Sequence, residues 1–457
     1  MRTRFAPSPT GLLHIGGART ALFAWLYAKS NQGSCLLRIE DTDKERSQDQ
    51  YTKEIINSFK WLGVEFDEET VYQSHNQDRH VEVALELLEK GLAYVCTCSK
   101  ERLEELRNQQ QEEGLNPKYD SKCRNLSLDR TSGSVIRFKI PDSDSTVFND
   151  LVKGEVRVEN KELDDFIILR SDGTPTYNLS VVVDDIDMGI SHVIRGDDHI
   201  SNTPKQINIF KALGREVPTY GHLPMIQGED GKRMSKRHGA TGVGEYHEMG
   251  ILPEALLNYL VRLGWAKGDE EFFSKNDLID IFSEGKFNTS PASFSLEKLH
   301  WYNKSYLDEI QDKELIKLIP SETFKDDEFS LRVLNLIRER CNNLKEFEKE
   351  ASYFFESPKY FEDKDIKKAS SDIANELLEE FKVRISTLKL WNADEINKLI
   401  NEVVSDKEVG FGKIGLPLRL SLTGTLNSPS IDKVCELLGL EEVLERISFA
   451  QSQIEAF

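Results

Sequence analysis

The segment Arg4-Phe-Ala-Pro-Ser-Pro-Thr-Gly-Leu-Leu-His-Ile-Gly-Gly-Ala-Arg-Thr20 reads as the end of a strand, a tight turn and the first turn of a helix. The extended run closes at Pro7-Ser8-Pro9. Gly16 and Gly17 then open the apolar run Ala21-Leu-Phe-Ala-Trp-Leu-Tyr-Ala28, which is long enough for a helix. Backbone N–H groups at a helix N-terminus form a site for phosphate, and glycine lets a ligand approach the chain closely. His14, just before the two glycines, can donate to an anionic oxygen. Beyond this helix, Ser34-Cys-Leu-Leu-Arg-Ile39 reads as a second strand, completing a strand–helix–strand unit of the doubly wound kind. Ligands of open α/β sheets gather at the carboxyl ends of the strands, so Glu40 and the first turn are expected to share one crevice. For Asp41, Thr42 and Asp43 a solvated helix cap is an equally good reading.

The 457 residues suffice for several domains, and the 39% hydrophobic and 30% charged content suits a soluble globular protein. No apolar run approaches the roughly 20 residues of a membrane span. The N-terminus lacks a signal-peptide pattern. Six cysteines in so long a chain do not make a disulfide scaffold, so a reducing cytoplasm is the expected compartment. A formal net charge of −20 opposes nonspecific nucleic-acid binding and leaves room only for local, shape-dependent contact with RNA.

Helical spacing marks residues 51 to 62 and 78 to 91. From about residue 95 an α+β insertion is expected, with a charged helix over 99 to 112, a strand over Val135 to Ile140, and a hairpin turning at Lys153-Gly154. Val181-Val-Val-Asp-Asp185 and His192-Val-Ile-Arg195 suit buried parallel strands. Thr203 is expected to cap a helix over Lys205 to Leu213, with Pro204 in its first turn. A strand near Thr219 to Ile226 feeds the glycine-flanked basic loop Gly228 to Gly239, and beyond residue 250 the texture is helical.

The turn at His14 and the loop Arg233-Met-Ser-Lys-Arg237 both leave strands of one expected sheet and could hold a phosphate chain between them. Together they resemble the HIGH and KMSKS signatures of class I aminoacyl-tRNA synthetases. The surrounding sequence resembles the bacterial glutamyl-tRNA synthetases: Ala6-Pro-Ser-Pro-Thr-Gly11, Gly16-Gly-Ala-Arg-Thr-Ala21, Arg38-Ile-Glu-Asp-Thr-Asp43, Pro175-Thr-Tyr177, Val182-Val-Asp-Asp185, Ser235-Lys-Arg-His-Gly239 and Pro253-Glu-Ala-Leu-Leu-Asn-Tyr-Leu260. The likeness thins toward Asn343-Leu-Lys-Glu-Phe347 and Pro417-Leu-Arg-Leu420. Two positions depart from the signatures, Gly17 standing for a histidine and Arg233 for a lysine.

The resemblance implies a Rossmann-like catalytic domain in two halves (1–95 and 176–250) around an inserted acceptor-stem-binding domain (96–175). A helical stem-contact region (251–310) and two helical anticodon-binding regions (311–370 and 371–457) follow. It implies glutamyl-adenylate formation from L-glutamate and ATP with Mg²⁺, then transfer to the terminal adenosine of tRNA for glutamate. Whether tRNA for glutamine is also charged stays open. A monomer free of any membrane is expected. By the same carry-over His14 and Lys236 are catalytic, and Pro7, Thr10, Gly16, Gly17, Arg233, Met234, Ser235 and Arg237 join them around ATP. Arg4, Ala6, Ser8, Glu40, Tyr177 and Arg195 form the glutamate pocket, where an arginine fork suits carboxylate and mismatches the amide of glutamine.

Arg340 falls where the family places an arginine facing the anticodon, a helix-face salt bridge being the competing reading. Cys96, Cys98 and Cys123 resemble a zinc site of some bacterial members, but the family's fourth ligand, a histidine, is Asn125 here. Asparagine is a poor zinc ligand. Thiols without metal are therefore the favoured expectation and zinc the alternative. The rival functional readings are a glutaminyl-tRNA synthetase, a truncated relative that glutamylates a queuosine base, a small-molecule nucleotidyltransferase and an inactive RNA-binding paralogue.

Overall fold

A computed structural model describes residues 1–43, 45–142, 144–232, 234, 242–320 and 322–456. It forms two compact units, Met1–Glu248 with Pro253–Leu299, and Met249–Leu252 with His300–Phe457.

The first unit opens with β1 (Arg2–Phe5), α1 (Ile15–Ser30), β2 (Ser34–Ile39), α2 (Asp49–Trp61), β3 (Val71–Tyr72) and α3 (Gln77–Glu89). The strands pair in parallel in the order β1-β2-β3. Residues 35 to 39 of β2 are all buried, as the unbroken apolar reading of a central parallel strand requires. α1 is buried on most of its circumference (Ala18, Ala21, Leu22, Phe23, Ala24, Leu26 and Ala28 among others), so it is a core helix rather than a one-faced surface helix.

The chain continues through β4 (Ala93–Cys96), α4 (Lys100–Glu112), β5 (Val135–Phe138), β6 (Ser145–Asp150), β7 (Gly154–Glu159) and β8 (Ile167–Leu169). β4, β5 and β8 form a small antiparallel sheet. β6 and β7 make the expected hairpin, with Gly154 at φ +76°, a left-handed conformation that glycine adopts without strain. The hairpin does not stand apart: β6 runs parallel to β10 (Thr219–Leu223), which follows α5 (Tyr177–Asp187), β9 (His192–Gly196) and α6 (Thr203–Ala212). The resulting order is β7-β6-β10-β9. β9 in turn comes alongside β1, where the Ser191 N–H donates to the Arg2 carbonyl at 3.0 Å. The carboxyl ends of β1, β2 and β9 therefore open on one side, beside the N-terminus of α1.

Two expectations fail here. Val181 to Asp185 is not a strand but the centre of helix α5, with Leu179, Val182 and Val183 in the core beside Phe138, Ile168 and Phe210. A helix buried on all sides reads like a buried strand over a short apolar run, because neither leaves a polar face to set the period. Thr203 is not the cap of α6 either. Asn202 precedes the helix without a side-chain bond, and the Thr203 hydroxyl turns to Arg195 and His222.

The second unit is helical. Its elements include Leu344–Phe355, Ala374–Ile385, Ala393–Asp406, Gly412–Thr423 and Leu440–Ala456. Ile396, Leu399, Ile400 and Val403 bury one stripe of the helix 393–406, whose N-terminus is capped by the Asn392 side chain accepting from the Glu395 N–H. Among the described residues no helix is long and apolar enough to cross a membrane.

Candidate active site

A cavity of about 530 Å³ sits at the carboxyl ends of β1 and β9 and the N-terminus of α1. It is lined by Arg4, Ala6, Pro7, Ser8, His14, Gly16, Gly17, Glu40, Tyr177, Arg195 and Met234, all of which the sequence had nominated, together with Arg19, Asp198 and His199. Thr10 is exposed on the turn and is not among the lining residues. Arg233, Ser235, Lys236 and Arg237 lie outside the described residues.

One side of the cavity is made by backbone. His14 precedes α1 in an extended conformation, and its Nδ1 accepts the Gly17 N–H at 3.1 Å. In the neutral ring this bond leaves the proton on Nε2. A Cβ at Gly16 would come within 3.1 Å of the His14 ring, which is why glycine suits that position. The turn is braced from outside: the Leu13 N–H donates to Glu54 of α2 at 3.0 Å, and the Leu13 carbonyl accepts the Val243 N–H at 2.9 Å. Arg19, one turn into α1, is buried and donates to the Leu263 carbonyl at 3.0 Å and to the Pro224 carbonyl. Burial pulls its guanidinium down to about 10.

The other side is made of buried charge. Arg4 reaches from β1 to Asp185 of α5, with Nε and Nη2 donating to the two carboxylate oxygens at 3.1 and 3.3 Å. Arg38 of β2 donates to the same carboxylate at 2.6 Å and to Glu40 at 3.1 Å. Asp184 accepts from Gln73 at 2.8 Å and lies 2.7 Å from His80 Nε2. Burial alone would lower Arg38, but Asp185, Glu40 and Asp184 together hold it above the ordinary arginine value. Burial would raise Asp185, but Arg4 and Arg38 hold it below the ordinary carboxylate value. Glu40 is raised, because burial outweighs the attraction of Arg38 and Arg4.

Arg195 is different. Its Nη2 donates to Thr203 Oγ1 at 2.8 Å and its Nε to His222 Nε2 at 3.2 Å, while Nη1 is buried with no hydrogen-bond partner. It makes no ion pair among the described residues, and burial pulls it below the ordinary arginine value. The Tyr177 hydroxyl lies 3.0 Å from His199 Nδ1.

Sequence reasoning assigned no role to Arg19, Gln73, His80, Asp150, Asp184, Asp185, His199, Thr203 as a side-chain partner, or His222. One signal was available: two aspartates directly after Val181-Val-Val183 place charge inside an apolar run, which a folded chain tolerates only with partners.

Away from the cavity, the sulfurs of Cys96, Cys98 and Cys123 converge within 4.8 Å of one another. The Tyr119 hydroxyl closes the fourth side, 3.4 Å from Cys96 and 3.5 Å from Cys98, and accepts the Cys123 N–H at 3.0 Å. Asn125 is exposed and outside the cluster. Among the described residues this is the one group of three or more such side chains close enough to share a metal ion. In the helical unit Arg340 is part-exposed, paired with Glu350 at 3.0 Å and donating to Asn427 at 2.9 Å.

Comparison with known proteins adds to this geometry. Residues 1–301 match the family described as tRNA synthetases class I (E and Q), catalytic domain, and residues 296–451 match an anticodon binding domain. A glutamate–tRNA ligase of Nitrosomonas eutropha is 46% identical over 465 residues, spanning 100% of this chain and 99% of that protein. One of Legionella pneumophila is 46% identical over 469 residues, spanning 100% and 98%. The crystal structure of a glutamate tRNA ligase from Elizabethkingia meningosepticum in complex with its amino acid matches with a TM-score of 0.85 at 32% identity, over 99% of both chains.

Proposed function

The chain belongs to the class I tRNA synthetases of the glutamate and glutamine type, and from that premise we propose how its cavity serves a glutamate–tRNA ligase. Such an enzyme uses ATP to join glutamate to tRNA. The α-carboxylate of glutamate attacks the α-phosphorus of ATP, and pyrophosphate leaves. The 2′-hydroxyl of the terminal adenosine then attacks the acyl carbon of the adenylate, and AMP leaves. No side chain forms a covalent bond, so catalysis is positioning plus stabilisation of charge on the transferring group.

The observation that carries the assignment of the pocket is Arg195, a buried guanidinium with an unpartnered nitrogen and, among the described residues, no protein carboxylate to meet it. A buried cation left in this way is costly, and a substrate carboxylate removes the cost. On this reading Arg195 and Arg4 take the side-chain carboxylate of glutamate, with the Tyr177 hydroxyl beside them. Glu40 takes the ammonium, and Ala6 and Ser8 line the same pocket. His14 and the backbone of Gly16 hold the triphosphate against Pro7 and Met234, and Gly17, whose N–H is taken by His14, lines the approach. Lys236, with Arg233, Ser235 and Arg237, supplies positive charge as the pentavalent phosphorus forms. Mg²⁺ would accompany the triphosphate and would offset its negative charge. Arg340 in the helical unit is assigned to the anticodon, whose unstacked bases can be splayed onto side chains.

The test is ATP–pyrophosphate exchange with each amino acid, with and without tRNA. Exchange with glutamate that depends on tRNA is expected. Equal exchange with glutamine, or exchange with no amino acid, overturns the reading. Charging of purified tRNAs for glutamate and for glutamine then decides the nucleic-acid range.

The cysteine cluster is read as a zinc site with Tyr119 in the place the family gives to histidine. Three thiolates and a phenol oxygen supply the four donors a structural zinc takes. Metal analysis of the purified protein is expected to give about one equivalent, lost in Cys98→Ser. Protein free of zinc after purification without chelator sinks this assignment.

A further inference from the structure

Arg195 is held from behind by a chain of three buried groups that belong to none of the signatures above. His222, on β10 next to β9, is fully buried, and its Nδ1 lies 2.6 Å from Asp150 Oδ2 at the end of β6. The other oxygen of Asp150 accepts the main-chain N–H groups of His222, Val152 and Lys153 at 3.1, 2.9 and 3.0 Å. That carboxylate is therefore fixed by the parallel pairing of β6 with β10 and by the hairpin turn. On the far side of the imidazole, Nε2 lies 3.2 Å from Arg195 Nε and 3.0 Å from Thr203 Oγ1.

These contacts determine the tautomer. An arginine Nε–H can only donate and a carboxylate can only accept. The imidazole must therefore carry its proton on Nδ1, toward Asp150, and present a bare Nε2 to Arg195. Burial keeps the ring below the ordinary histidine value in spite of Asp150, and the Arg195 charge adds to burial. The neutral form is thus the one that fits. The guanidinium is then held along two of its three nitrogens, Nε by His222 and Nη2 by Thr203, while Nη1 keeps no protein partner. Tyr220 adds its ring face, with the guanidinium carbon 5.3 Å from the centroid.

We propose that His222 is a positioning residue for amino-acid selection: Asp150 fixes its tautomer, its Nε2 orients Arg195, and the nitrogen left over is the one that meets the substrate carboxylate. The proposal rests on Arg195 binding that carboxylate. It differs from a purely structural role because Asp150 can be changed without disturbing the main chain. In Asp150→Asn the amide oxygen can keep the three backbone N–H groups while the amide nitrogen donates to Nδ1. The imidazole proton then moves to Nε2 and opposes the Arg195 Nε–H. Thr203→Val is the milder partner, isosteric and lacking only the hydroxyl.

Steady-state exchange assays should show the glutamate KM rising about 10- to 100-fold in Asp150→Asn, the range of a lost hydrogen bond to a charged group. The ATP KM should be unchanged, and the preference for glutamate over glutamine should fall. Thr203→Val should move the same quantities in the same direction by less. ¹⁵N spectra of histidine-labelled wild-type protein should contain one ring with a protonated Nδ1 and a bare Nε2 whose signals shift when glutamate is saturating. Glutamate KM and selectivity unchanged in the folded variants overturn the proposal, as do glutamate and ATP KM values that rise together. If Asp150→Asn does not fold, Thr203→Val and the wild-type spectrum decide, and absence of the Nδ1–H tautomer overturns it. Wild-type protein that activates no glutamate at all refutes the assignment of the pocket instead.

Discussion

The two sides of the cavity are built in opposite ways. The side proposed for phosphate is a single stretch of chain, His14 to Gly17, in which an exposed imidazole caps a helix and backbone N–H groups lie at its N-terminus. The side proposed for the amino acid is assembled from β1, β2, α5, β6, β9 and β10, with charges that are almost wholly buried. A triphosphate carries its own charge and hydration, and an open helix end suffices to receive it. Discriminating a carboxylate from an amide requires a dry, fixed guanidinium, and a dry guanidinium must be held by a network that spans several elements.

The contrast within the buried side is as informative. Arg4 and Arg38 share Asp185 and are tied into the fold, whereas Arg195 has no acidic partner among the described residues. Arg195→Ala should therefore show the largest functional effect with the smallest structural one. Glutamate activation is expected to fall by about 3–5 kcal/mol, the magnitude of an uncompensated buried charge. Thermal stability should hold or rise, since an unpaired buried cation has been removed. A large drop in melting temperature, or an unchanged glutamate KM and kcat, breaks the distinction between the two kinds of arginine.

Asp185→Asn should do the reverse and strike the fold first. Two buried guanidinium groups lose their shared counter-charge, and denaturant unfolding at neutral pH is expected to show a loss of about 3–5 kcal/mol. The pH dependence gives a second reading. The folded carboxyl lies below its ordinary value, so its stabilisation is complete above the unfolded value of about 3.9. It is lost as pH falls through the depressed folded value. The stability gap between wild type and Asp185→Asn should accordingly narrow in acid. A gap that stays constant down to the acid transition contradicts the ion-pair account.

His14→Ala tests the exposed side. Pyrophosphate exchange is expected to fall about 100-fold, as when one preorganised donor to a transition-state charge is lost. The glutamate KM should stay put, and stability should drop by only about 1 kcal/mol, the worth of a helix cap. A glutamate KM that rises with the ATP KM would show that the two sides are not separable.

Much of this was legible before the fold. The turn at His14 is local in sequence, so spacing alone exposes a strand end, two glycines and an apolar helix. The lining positions Arg4, Ser8, Glu40, Tyr177 and Arg195 came from resemblance, and the structure brings them to one cavity. What escaped was whatever depends on burial in three dimensions. Val181 to Asp185 looked like a strand because its environment, not its period, makes it a helix. Thr203 looked like a cap because a threonine before a proline has that local meaning, yet a buried arginine and histidine nearby claim its hydroxyl. At the cysteines the sequence offers Tyr119 only as an uncommon substitute for the family's histidine, because only the folded chain brings its phenol oxygen against the sulfurs of Cys96 and Cys98.

Local pattern was enough for the strand–turn–helix at His14 and for the alternation of elements in a doubly wound sheet, while most of the cavity residues were named through family resemblance and Arg19 and His199 were given no role. The local patterns follow from stereochemistry and from side-chain type, which neighbouring residues in the chain largely fix. Only the folded chain shows that Arg4 and Arg38 share Asp185 while Arg195 has no acidic partner among the described residues. The fold also decided which way the proton on His222 points and which aspartate carries the charge of two strands. Those outcomes depend on distances between residues remote in sequence and on the exclusion of water between them, and neither quantity is written in any one segment of the chain.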